Sequence, residues 1–297
     1  DAAGVFEMSS DGLPEASIFR LGAPPARHSQ HWLVLLPSAA RPDARSMLMV
    51  GLGGGVALEA APPALERIDV IEIEPEIVAA NAAIAADRRG EHLAHLAGPD
   101  DPLPRDDTVT VIGPGTGLGI AHYRGYRGKA LIQATEGSHI DFAPVNAVDD
   151  AVLAALRCQY DRVSLERVVS GEGIAHIYSA IAALEGTEPS LSEPLEIWKT
   201  GMAEGSTLAS KAVAHFVTTL GRVAGDYALA HGASAVVIAG GLGLRLHKQL
   251  AEPGFHRAFV NKGRYQDMME RMPIKLITHP QPGLLGAAAA YFQEVGV

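Results

Sequence analysis

Four glycines alternate through the run Gly113, Gly115, Gly117 and Gly119, with Thr116 among them. Lacking side chains, they leave backbone N–H groups unshielded beside a hydroxyl, a combination that suits an anionic phosphate. A plain glycine-rich hairpin has the same letters, and no Lys-Ser/Thr pair follows, so the run is not a GxxxxGK[ST] phosphate loop. A second constellation is TEGSHIDFAP, where Glu136 and His139 stand three residues apart beside Asp141. An imidazole and a carboxylate together can hold sugar hydroxyls, because each hydroxyl both donates and accepts. A structural histidine gives the same pattern, and so does half of a metal site, although no second pair stands at matching spacing. The third is SLERVVSGEG, in which Glu166 offers a further carboxylate and Gly171 and Gly173 a turn before the helical run IAHIYSAIAAL. A surface carboxylate next to Arg167 is the plainer reading of Glu166.

Elements able to position these groups are legible around them. VTVIGPGTGLGIAHYR is two β-prone runs about a glycine turn, which predicts a hairpin. From Thr207 to His231, apolar residues at Leu208, Ala212, Phe216, Leu220, Val223 and Tyr227 share one helical face, and Gly232 stands where a left-handed cap is expected. SAVVIAGG reads as a buried strand ending in Gly240 and Gly241, IKLITH as another, and GLLGAAAAYFQEV as a closing helix after Pro282. Upstream, MLMVGL feeds Gly53, Gly54 and Gly55, and Ile68 to Ile73 is a second apolar strand leading into helix-forming IVAANAAIAA. That order is the front half of a doubly wound, Rossmann-like sheet. EHLAHLAGPDDPLPRDDT reads as a loop or linker, which places a boundary near residue 90 and predicts two α/β domains, 1–90 and 91–297.

The chain has 297 residues and a formal net charge of -10, with its Lys and Arg residues scattered, which argues against a nucleic-acid partner. The longest apolar runs are too short to cross a bilayer and the first residues have no signal-peptide pattern, so a cytoplasmic location is expected. The single cysteine, Cys158, lies in the apolar-periodic stretch AVLAALRCQY, where burial in a helix is expected.

The ordered blocks GPGTGLGIA, EGSHIDFAP, LERVVSGEGIAHIY, VVIAGGLGLRL, AFVNKGRY and HPQPGLLGAAA together resemble the bacterial glucokinase family over nearly all of residues 91–297. The resemblance implies a ribonuclease H-like, actin-like kinase fold that transfers phosphate from ATP, with Mg²⁺ bridging its phosphates, to the 6-hydroxyl of glucose or a related hexose. It implies that Glu136, His139 and Glu166 bind the sugar. It also implies that Gly113, Gly115, Thr116, Gly117 and Gly119 contact the ATP phosphates, that Gly240, Gly241 and Gly283 help hold the adenosine, and that the protein forms a homodimer. Ser138 replaces the second Gly of the family's EGGH and adds bulk beside the sugar. The family's D-x-G-G-T-N loop and the Asn-Asp-Phe segment carrying its general base are not found here, which predicts an impaired rate or a catalytically dead fold.

Residues 1–89, through HWLVLLP, MLMVGLGGGVALEAAP and RIDVIEIEPEIVAAN, resemble the spermidine synthase-like and S-adenosylmethionine-dependent methyltransferase family. That resemblance implies an alternative ligand, S-adenosylmethionine or its decarboxylated form, held by Gly51, Gly53, Gly54 and Gly55 with Glu72 or Glu74. On this reading the chain is a chimera of two enzymes.

Overall fold

The computed structural model describes residues 5–10, 13–19, 43, 45–50, 67–71, 91–127, 129–203, 205, 207–279 and 282. Contacts divide the chain into two compact units, Asp1–Glu74 and Pro75–Val297. In the first, β1 (Val5–Ser10) and β2 (Leu13–Phe19) pair antiparallel, with a register shift between Met8 and Ser9. β3 (Ser46–Val50) and β4 (Arg67–Ile71) pair parallel, with Met49 opposite Val70. The expected adenosyl-ligand residues Gly51, Gly53, Gly54, Gly55, Glu72 and Glu74 lie outside the described residues, as do Gly283 and the closing helix.

The second unit is built on a six-stranded mixed sheet. Its strands are β5 (Leu93–Ala97), β6 (Thr108–Pro114), β7 (Leu118–Tyr126), β8 (Lys129–Thr135), β9 (Ala235–Ile238) and β10 (Ile274–Ile277), in the order β5-β10-β9-β6-β7-β8. β9 runs parallel to both its neighbours, and the outer pairings are antiparallel. The run from Glu91, expected as a loop or linker, instead supplies β5. An edge strand needs a partner on one side only, here β10, so five residues suffice, and Gly98 at φ 69° turns the chain away at its end.

Side-chain alternation sorts the sheet residues onto two faces. Ile112, Val236, Ile238, Ile274 and Leu276 join the large core beneath the helices, whereas Val109, Val111, Ala235, Val237 and Ile277 form a smaller cluster on the other face. The continuous apolar run of β9 reflects burial on both sides. Among the described residues, the helices of six residues or more are α1 (Ala147–Arg157), α2 (Gly173–Leu184), α3 (Pro194–Met202), α4 (Leu208–His231), α5 (Gly240–Arg245) and α6 (Pro253–Val260). α4 is the central one. A Thr207–Ser210 capping box satisfies its first N–H groups, Gly232 at φ 60° closes it, and the predicted stripe, with Phe216 and Leu220 fully buried, packs against α2, α3 and α6.

α1 is tied to α4 by a buried carboxylate. Asp149 has no exposed side-chain surface, and accepts hydrogen bonds from Arg222 Nη1 at 2.7 Å, the Val145 N–H at 3.1 Å and Asn146 Nδ2 at 3.0 Å, with His215 Nε2 at 2.8 Å. Cys158 corrects the expectation of a buried thiol. It caps the C-terminus of α1 two residues past the buried Leu156, off the stripe of Val152, Leu153 and Leu156, and is exposed.

Candidate functional site

The hairpin forms as the letters predict, and its register places Gly113 opposite Gly119 and Pro114 opposite Leu118. The turn proper is therefore Gly115-Thr116-Gly117. Within it the Gly115 N–H donates to the Gly117 carbonyl at 2.8 Å, so this donor, expected to face a phosphate, is engaged inside the turn. The Gly115 carbonyl accepts from the Gly171 N–H at 2.7 Å, and the Gly171 carbonyl accepts from Trp198 Nε1 at 2.9 Å. The SGEG segment thus docks on the glycine turn, with α3 behind it. On the other side Gly240, at φ +80°, begins α5. A Cβ there would come within 2.6 Å of the Pro114 carbonyl, so only glycine lets the two backbones meet. At Gly115 and Gly241 an added Cβ would meet nothing within 4 Å, which leaves open space beside both backbones.

Glu136 follows the end of β8 and caps a single 3-10 turn, Gly137–His139. Its carboxylate lies 3.8 Å from His139 Nε2, with side-chain exposures of 80% and 53%, so both groups are open to a ligand. Glu166 stands on a second 3-10 turn, Leu165–Arg167. The two segments are stitched by backbone bonds from the Phe142 N–H to the Val163 carbonyl at 3.0 Å and from the Leu165 N–H to the Ile140 carbonyl at 2.8 Å. Glu166 reaches across this seam. Its Oε2 accepts from the Leu118 N–H at 2.9 Å and from the Ser138 hydroxyl at 3.5 Å, and a Cβ on Gly117 would sit 2.6 Å from the same oxygen. Oε1 makes no hydrogen bond among the described residues.

The structure therefore gathers Glu136, His139 and Ser138 on one turn, and joins Glu166 both to that turn and to the glycine hairpin. Ser138, expected to add bulk, is buried and directs its hydroxyl at Glu166. Among the described residues no group of three or more His, Cys, Asp or Glu side chains is placed to hold a metal.

Support for the 136–139 turn comes from residues that the sequence reading did not assign to the site. Arg162 Nη1 donates to the His139 carbonyl at 2.6 Å and to Asp141 Oδ1 at 3.0 Å. Tyr227, placed by its spacing in the apolar stripe of α4, carries a hydroxyl that donates to the Gly137 carbonyl. Its ring lies so close that a Cβ on Gly137 would come within 2.9 Å of it. The only signal in the sequence was a phenol at the end of an otherwise apolar stripe. Burial and, secondarily, Asp226 push the Tyr227 phenol up to about 12, which keeps it a protonated donor at any physiological pH. Tyr227→Phe is expected to cost about 1 kcal/mol of stability and, by loosening the turn, to raise the KM for the ligand of Glu136 and His139 several-fold. Melting curves and steady-state kinetics read the two effects separately.

Beside Tyr227 lies His231, with ring centroids 5.5 Å apart, and the His231 ring sits 4.4 Å from that of His122, tilted by 42°, while its Nδ1 bonds Thr110 Oγ1 at 2.8 Å. Burial, then the neighbouring His122, brings the His231 imidazole down to about 4. An unfolded chain binds this proton near pH 6.5 and the folded one only near 4, so the unfolded state holds more protons in between. This contribution to stability is intact above about 6.5 and lost as pH falls through about 4. The melting temperature is expected to decline across that window, and His231→Gln to flatten the decline.

A family model described as Glucokinase matches residues 66–294, well over half of the chain. The chain is 50% identical over 200 residues to a glucokinase of Zymomonas mobilis, covering 67% of this chain and 62% of that one, so it spans less than two thirds of that relative's length. Among solved structures, the glucokinase of an Antarctic psychrotroph superposes with a TM-score of 0.69 at 26% identity, over 97% of this chain and 94% of that one. The glucokinase of Balamuthia mandrillaris in complex with glucose superposes with a TM-score of 0.65 over 94% and 86%, and at 18% identity that likeness speaks for the fold alone. The α/β kinase fold expected from the ordered blocks is thus the fold found. With motif order, fold and family model in agreement, the chain belongs to the glucokinase family.

Proposed function

We propose that this chain phosphorylates glucose, or a closely related hexose, at the 6-hydroxyl with ATP, as a cytoplasmic kinase whose rate is impaired because the family's D-x-G-G-T-N loop and general-base segment are not found in it. The observation that carries the reading is Glu166. One carboxylate oxygen is fixed by the Leu118 N–H of the glycine hairpin at 2.9 Å, with the Ser138 hydroxyl of the 136–139 turn in a longer contact at 3.5 Å, and the other is left to accept from a sugar hydroxyl. Glu136 and His139 add an acceptor and an amphoteric imidazole 3.8 Å apart, and the three groups together match a polyhydroxyl ligand. The open backbone faces at Gly115 and Gly241 leave room for a nucleotide beside that sugar.

ATP with Mg²⁺ fits such a site, because Mg²⁺ keeps most of its ligands as waters and substrate phosphates and needs no protein cage. When bound, the ion neutralises charge on the phosphates. The chain's own part is positioning: held next to the nucleotide turn, the hexose meets the phosphoryl group as an intramolecular partner, an advantage of ~7 kcal/mol or more in well-oriented cases. The test is a coupled assay for glucose 6-phosphate. Product that needs both ATP and glucose supports the reading, and none above background in the purified chain overturns it.

A second reading, S-adenosylmethionine or its decarboxylated form bound by the first unit, has the parallel pairing of β3 with β4 on its side. The family match weighs against it, since that match begins at residue 66, inside the segment concerned. A thermal shift with either adenosyl compound, lost in Glu72→Ala and kept in Glu136→Ala, is the result this reading requires.

A further inference from the structure

A cavity of about 570 Å³ opens between the 143–146 loop, α4 and α6, and its lining includes Arg222, Arg257, Lys262 and Asp226 together with the apolar Val145 and Ala258. Neither the glycine hairpin nor Glu136, His139 and Glu166 borders it. Its size is that of a site for a small organic molecule.

The cations on its wall are held in unequal ways. Lys262 is 8% exposed and is engaged by Asp226 Oδ1 at 2.8 Å and the Arg222 carbonyl at 3.0 Å. Arg222 is only 16% exposed, yet among the described residues a single guanidinium nitrogen, Nη1, is engaged, by Asp149 Oδ2. The other two nitrogens are not among the sealed, unpartnered atoms, and Arg222 lines both this cavity and a smaller neighbouring one. A guanidinium carries five donors, so the nitrogens not bonded to Asp149 are available to donate to a ligand in place of water. Arg257 bonds only the Pro253 carbonyl, through Nε at 3.3 Å, which leaves both its Nη groups. Lys262 is thus matched by Asp226 and Arg222 by the buried Asp149, which leaves Arg257 as the cation of this wall without a counter-ion among the described residues. Arg pairs of this kind suit planar or tetrahedral oxyanions, which accept two parallel N–H bonds.

We propose that this cavity is a binding site for a small organic oxyanion, a phosphate monoester or carboxylate. Arg222 and Arg257 hold the charged end, and the apolar body lies against Val145 and Ala258. The site is independent of the kinase reading, because none of these residues is placed in the sugar or nucleotide site.

Calorimetry with phenyl phosphate and with benzoate, and with neutral phenol as control, tests it on the full chain. The expected result is saturable binding of an anion with a dissociation constant of about 1 mM or tighter, and no saturable heat with phenol. Which of the two anions binds more tightly distinguishes phosphate from carboxylate. Arg257→Glu, a change at an exposed residue with one local contact, is expected to weaken binding at least about tenfold while the melting temperature stays unchanged. Ala258→Phe, which fills the cavity without altering charge, is expected to do the same. The glycine hairpin is a second candidate anion site for phenyl phosphate, so Gly117→Ala is the control, and binding should survive it. No saturable heat with either anion overturns the proposal, as does undiminished binding in Arg257→Glu, or binding lost in Gly117→Ala and kept in Arg257→Glu.

Discussion

Glu166→Ala is expected to lower kcat/KM for glucose by ~10²-fold or more. A hydrogen bond to a charged group is worth about 1.5–3 kcal/mol, and each 1.4 kcal/mol is a factor of ten. The substitution removes the acceptor presented to the sugar and also leaves the Leu118 N–H and the Ser138 hydroxyl without their partner, so both turns lose the group that joins them. Glu166→Gln keeps the shape and one acceptor oxygen, and should recover part of the loss. Kinetics within threefold of the parent chain in Glu166→Ala would remove Glu166 from the site. A KM rise with kcat intact would assign it to uniform sugar binding rather than to the transition state.

The largest effect on stability is expected at Asp149. Its carboxylate is fully buried between α1 and α4, and holds Arg222, His215 and the loop at Val145 and Asn146. Asp149→Ala leaves a buried guanidinium without its counter-ion, which typically costs about 3–5 kcal/mol. For a chain of this size that is a fall in melting temperature on the order of 10 °C. Burial by itself would raise the Asp149 carboxyl, but hydrogen bonds from His215 and Arg222, the Arg222 charge and the Val145 N–H outweigh it and hold the group below its ordinary value of 3.8. Its contribution is therefore present above the ordinary carboxylate range and fades as pH falls below it. A loss under about 1 kcal/mol in Asp149→Ala by denaturant titration would show that the network is dispensable.

Where periodicity and capping act locally, the letters were enough. The Gly113–Gly119 hairpin, the 24 residues of α4 with its Thr207 and Gly232 ends, and the strands β9 and β10 all follow from spacing and turn chemistry. β5 did not, because Leu93–Ala97 is short, flanked by Pro, Asp and Gly, and made a strand only by the edge that β10 offers. Cys158 misled for a related reason: the apolar stripe of α1 ends at Leu156, and a helix face cannot be read at its last turn without its packing partner.

The candidate site was legible as residue types and not as geometry. Glu136 and His139 are neighbours in sequence, so their proximity follows from a single turn. The bond from Leu118 to Glu166 spans 48 positions and that from Tyr227 to Gly137 spans 90, and such pairs are set by how β7, β8 and α4 pack. Nothing in the local pattern of either partner announces them. The same holds for the Gly115 N–H, which looks free in the letters GPGTG and is taken up by the Gly117 carbonyl once the turn closes.

The most direct measurement is an equilibrium titration of the chain with glucose by calorimetry, alongside Glu136→Ala and His139→Ala. Both side chains are more than half exposed, so their removal should leave the fold in place. Saturable heat in the parent chain that disappears in both variants is the predicted result. Undiminished glucose binding in either variant, or no binding in the parent chain, contradicts a sugar site built on Glu136, His139 and Glu166.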